Sequence, residues 1–145
     1  MLRRVIFFCL AMAFSCQGSM ACEGGVLVKS VADEMSACIL RNDIDCLMRR
    51  ISPEGILVVD RELTRDDVCQ LLRDEGSWLH QALFVGEKSL KVYLQNARNL
   101  NFRVEEGEHD VAVMLDADNY SKNDTRMFCF WCQGDVWYFT MLLSD

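Results

Sequence analysis

At Asn101 the spacing of apolar residues changes from three and four to two, and this divides the chain into a helical first part and a β-rich second part. Before it, Val28, Val31, Met35 and Cys38 share one face of a helix predicted over Val26–Arg41. Asn42-Asp43 ends that helix, and Asp43 or Asp45 can cap a second, short one reaching Ile51. Ser52-Pro53-Glu54-Gly55 reads as a turn, and Gly55–Asp60 as a strand by its β-branched run. Thr64 can cap a helix to about Asp74, with Asp66 and Asp67 at its positive end. Helical turns follow Ser77 and Ser89, the last over about 89–98. After Asn101 come four strand-like segments: Phe102 and Val104 on one, Val111 to Leu115 on the next, then Arg126–Cys132 and Val136–Leu143. Together they predict an α+β fold, with N-terminal helices packed on a curved antiparallel sheet of four to five strands. Both alternating sets of the last strand are apolar, as in a strand that is central or that meets helices on one side and a lined cavity on the other.

The N-terminus predicts export. Arg3 and Arg4 precede an uncharged apolar run from Val5 to Phe14, which is too short to span a bilayer and leads into small residues. Two cleavages fit. Ser19 and Ala21 suit an ordinary cut before Cys22. Alternatively, Ala13-Phe14-Ser15-Cys16 resembles a bacterial lipoprotein signal, with Cys16 as the lipidated residue and Cys22 as the alternative site. The resemblance departs from that family at Ala13, where leucine is usual. Gln17–Gly25 would then be a flexible tether. On either reading residues 26–145 form one domain, working in the periplasm or cell envelope, with any membrane attachment through lipid alone.

Charge narrows the partners. The net charge is −7, and Arg3 and Arg4 are among its few basic residues, so the mature chain is more acidic still. This disfavours nucleic acid and anionic lipid surfaces, and admits a basic protein partner. Beyond the signal lie Cys22, Cys38, Cys46, Cys69, Cys129 and Cys132, an even set that an oxidising compartment can pair in fifteen ways. Cys38 and Cys69 also read as small buried hydrophobes.

The order of helix, helix, strand, helices and four strands resembles the nuclear transport factor 2-like superfamily, the cystatin-like α+β cone, over about residues 26–143. The resemblance rests on the opening helix, Ser52-Pro53-Glu54-Gly55-Ile56-Leu57-Val58-Val59, the helix from Thr64, and Gly134-Asp135-Val136-Trp137-Tyr138-Phe139. It implies a sheet wrapped on a helix around a conical pocket. The short second strand usual there has no clear counterpart, and the helix at 89–98 is extra.

No residue pattern is diagnostic of catalysis, a metal or a cofactor, and none of these is expected. Cys129-x-x-Cys132 sits on a predicted strand rather than at a helix start, so its sulfurs should point to opposite faces. Asp116 to Ser121 begins like a calcium loop but lacks the required glycine and final glutamate. Asn119 and Asn123 head glycosylation sequons, which carry little meaning in a bacterial protein. Glu105 to Asp110 reads as a solvated turn. If the cone is open, Asp60, Trp78, His80, Tyr93 and Trp137 are its candidate lining. An enzyme reading, as hydrolase or isomerase, would need His80 and a carboxylate in one cavity. The expected role is non-catalytic binding of a protein or small apolar ligand. A periplasmic immunity or inhibitor protein is the alternative that the acidic charge permits.

Overall fold

The computed structural model describes residue 22 and residues 25–58, 61–107 and 110–143. The signal segment with Cys16, the pocket candidate Asp60, and His109 fall outside those residues. The fold is α+β.

Helix α1 spans Gly25–Leu40 and buries the expected stripe of Val28, Val31, Met35 and Cys38. Asp43 caps α2 (Ile44–Met48) by accepting the Cys46 N–H. Strand β1 (Ile56–Val58) precedes β2 (Arg61–Leu63), a short charged strand without an apolar alternation to announce it. A capping box between Thr64 and Asp67 starts α3 (Arg65–Arg73). Ser77 caps the single turn α4 (Trp78–His80), which runs on as a π-helical segment over Gln81–Val85. Ser89 caps α5 (Leu90–Asn96), which is shorter than the 89–98 expected. Then follow β3 (Asn101–Glu106), β4 (Val111–Asp116), β5 (Arg126–Gln133) and β6 (Val136–Leu143).

The predicted meander of β3 to β6 is antiparallel throughout. The sheet exceeds the four to five strands expected, with six in the order β2-β1-β6-β5-β4-β3, and it is mixed. Strand β1 pairs parallel to β6, placing Val58 beside Leu142. Hence β6 is central, flanked by β1 and β5. Gly134 and Asp135, both at positive φ, make the tight turn between β5 and β6. A register shift opposite Cys129 and Phe130 leaves Thr140 as the extra residue on β6.

The helices gather over one sheet face. Val113, Leu115, Phe128, Phe130 and Phe139 are buried there against Val28, Ile39, Leu47, Leu72 and Leu79. The three phenylalanines meet edge to face, with ring centroids 5.9–6.1 Å apart. Truncating one such ring to alanine costs about 3–5 kcal/mol.

Two disulfides are formed. Cys22 joins Cys132 (Cα–Cα 6.1 Å), and Cys38 joins Cys46 (5.7 Å). Cys38 is thus a bridge partner rather than only a buried hydrophobe, because the chain reversal after α1 brings Cys46 back against it. Cys69 and Cys129, also disulfide candidates, are free thiols. Such bridges persist in oxidising compartments. No helix of the described residues is long and apolar enough to cross a membrane.

Candidate functional site

The space between helices and sheet is filled. Its remaining cavity is about 20 Å³, walled entirely by apolar side chains such as Met35, Leu47, Val68, Leu72, Phe128 and Phe139. A water alone needs about that much room.

Of the expected lining residues, the four that are described do not converge. Asp60 lies outside the described residues. Trp78 is on the outer side of the helical layer, 41% exposed. His80 Nδ1 donates to the Leu72 carbonyl (2.6 Å), and its ring stands edge-on to Phe84. It is a brace between α3 and the π-helical segment, and no carboxylate of the described residues pairs with it. Tyr93 donates to the Leu115 carbonyl (2.5 Å) and stacks on Tyr120 at 4.1 Å. Burial pushes its phenol pKa above the ordinary value. Trp137 is buried beside the sheet's aromatic cluster, and its indole N–H finds no acceptor among the described residues.

Strand period separates Cys129 from Cys132 as expected. Cys132 shares the Phe130 side and bonds to Cys22, whereas Cys129 faces the other way. Burial pushes the Cys129 thiol up to about 11, so almost no thiolate exists near neutral pH. The calcium-like loop is spent on bracing. Asp116 pairs with Arg103 (2.8 Å), Asp118 accepts from Asn99 (2.7 Å), and Asn119 bridges the Arg98 N–H and the Asn96 carbonyl. Among the described residues no cluster of His, Cys, Asp or Glu could hold a metal ion.

A broad concavity lies on the other side of the sheet, where half-exposed and exposed side chains line the surface. It holds about 570 Å³. Its floor is a cross-strand pair, Trp131 on β5 opposite Tyr138 on β6, with Thr140 and Gln133 alongside. Trp131 is 53% exposed and Leu57 is 37% exposed. The β1–β2 edge forms the second wall through Leu57, Glu62, Leu63 and Thr64. Glu62 stands directly opposite Leu57 in the register. The turn 52–55 closes one end. There the buried Ser52 hydroxyl accepts the Glu54 N–H at 3.2 Å, and Gly55 at φ 101° lets the chain pass against the Leu63 carbonyl.

Among the described residues the groove lining contains two carboxylates, Glu54 and Glu62, and no lysine or arginine. Neither carboxylate is ion-paired among the described residues. Sequence reasoning did not assemble this site, because its walls come from residues 52–64 and 131–140. Its available signal was the doubly apolar β6 and the outward register of Trp131. A second, shallower concavity of about 360 Å³ lies by Lys88, Tyr93, Tyr120 and Arg126. Set against models of protein families, the chain matches none, and no curated protein matches it.

Proposed function

We propose that this chain is an exported, non-catalytic binding domain that receives a protein partner on the sheet face opposite its described helices. The observation that carries the reading is the contrast between the two faces. The helical side retains about 20 Å³ of internal space, whereas the open side presents a groove of about 570 Å³ floored by Trp131 and Tyr138. A small apolar ligand inside the cone has no room under this reading. Aromatic groups left exposed on one patch are a usual mark of partner surfaces.

The immunity or inhibitor role draws support from the same groove, whose charged lining is wholly acidic. The hydrolase or isomerase alternative draws none, since His80 faces the Leu72 carbonyl and lines neither groove. The nuclear transport factor 2-like architecture is favoured by the antiparallel run β3 to β6 and by a short strand β2 where that superfamily has one. Export is favoured by the two disulfides together with the Arg3-Arg4 start. The bond of Cys22 to Cys132 favours Cys16 over Cys22 as the site of any lipid.

A photo-reactive amino acid at position 131 should capture a discrete partner from the native envelope, while the same group at position 78 should not. Equal capture at both sites, or none at 131, would overturn the reading. Mass spectrometry of the mature N-terminus tests the anchor: a diacylglycerol mass on Cys16 is expected.

A further inference from the structure

We infer that the Trp131 groove is a cation-recognition site, and that the partner enters it with an arginine- or lysine-bearing segment. The inference rests on the proposed binding face and adds what chemistry that face selects. Three observations converge.

First, the floor is aromatic and accessible. Trp131 is more than half exposed and lies beside Tyr138, so an indole face and a phenol ring are presented together. The indole is the strongest aromatic acceptor for a cation, and guanidinium stacks on it best. Second, the two carboxylates stand on opposite parts of the rim: Glu62 on the edge strand β2, Glu54 in the turn before β1. The acidic groups elsewhere that form ion pairs, namely Glu34, Asp45, Glu105 and Asp116, are matched by Arg50, Arg73 or Arg103. Glu54 and Glu62 have no ion-pair partner among the described residues, so their charge is available to an incoming group. Third, the groove, closed at one end by the turn 52–55, sits beside an edge strand only three residues long. An extended segment can therefore lie across it without displacing any element. The net charge of −7 adds long-range attraction for a basic protein and repels an acidic one.

The occupant follows from charge complementarity. An apolar segment would leave Glu54 and Glu62 desolvated and unpaired, which is costly. An anionic membrane surface would be repelled. A guanidinium or ammonium over Trp131 satisfies both the ring and the carboxylates, and its aliphatic stem can lie along Leu57.

The test uses the mature, disulfide-bonded protein and the peptide acetyl-Gly-Arg-Gly-Arg-Gly-amide, followed by calorimetry at low ionic strength. Its citrulline counterpart keeps the shape and removes the charge. The arginine peptide should bind saturably, at least about tenfold more tightly than the citrulline peptide, and should weaken with added salt. Glu54→Gln with Glu62→Gln, and separately Trp131→Leu, should each reduce affinity about tenfold. Glu75→Gln with Glu87→Gln removes the same charge outside the groove lining and should change it less than about twofold. Equal binding of the citrulline peptide, equal loss in the distant pair, or no binding of the arginine peptide would overturn the inference. Each variant's unfolding midpoint is measured alongside, and the citrulline comparison needs no variant at all. A partner captured at position 131 by a protein that ignores the arginine peptide would remove the cation assignment and leave the binding face standing. Free arginine binding as tightly as the peptide would overturn the segment as occupant.

Discussion

Gly55 holds more of the site than any polar residue does. Its φ of 101° and the close pass of Leu63 and Thr64 backbone leave no space for a side chain. Gly55→Ala should therefore destabilise the protein by about 2 kcal/mol or more, since both backbone strain and a collision are imposed. Gly134→Ala is the control. It too sits at positive φ, 54°, but nothing lies near its absent Cβ, so only the left-handed cost of about 1 kcal/mol should appear. Denaturant unfolding of the two variants checks the difference. Gly55 was recognisable in the sequence as a turn residue. Its tight approach to residue 63 was not, because β2 is too short and too charged to be read as a strand. Cys38 shows a similar limit. Its position on the apolar stripe of α1 was evident from spacing, but a bond to Cys46 depends on how the chain reverses between them.

At the scale of elements, local polar signals were the most legible. Thr64, Ser77, Ser89 and Asp43 all cap the helices they precede, because a side-chain oxygen two or three residues before a free N–H satisfies it whatever the rest of the fold does. The Thr64–Asp67 box makes a pH prediction. The Thr64 hydroxyl, and after it the Thr64 N–H, hold the Asp67 carboxyl below its ordinary pKa. A depressed carboxylate contributes stability that is present above the ordinary carboxylate range and lost as pH falls through its folded value. Thr64→Ala should cost about 1 kcal/mol near neutrality, and less in acid, because the ionised Asp67 then no longer favours the folded state. Urea midpoints at neutral pH and at pH 3 measure that narrowing. The π-helical segment at Gln81–Val85 carried no such signal, since it differs from an α-turn only in one skipped hydrogen bond.

For the whole molecule, the antiparallel run from β3 to β6 could be read from period alone, while the parallel junction of β1 with β6 could not. That junction joins segments far apart in the chain, and periodicity says nothing of which strands become neighbours. It also determines where the groove lies, since the β1–β2 edge becomes a wall only by docking on β6. The Cys22–Cys132 bridge spans a sequence separation of 110, and Cys38–Cys46 one of 8. Loop-closure entropy predicts that Cys22→Ala with Cys132→Ala lowers stability by about 4–5 kcal/mol. Closure of the short loop contributes less than about 3 kcal/mol. Guanidinium unfolding of the Cys22/Cys132 double variant against the parent tests the larger value, and a loss below about 1 kcal/mol would contradict it.

The central place of β6 has a consequence in time. As the chain is made from its N-terminus, β1 and β2 appear early and have no sheet to join until β6 follows β5. Cys38 can meet Cys46 at once, but Cys22 must wait for Cys132. Oxidation should therefore run in a fixed order, the short bridge before the long one.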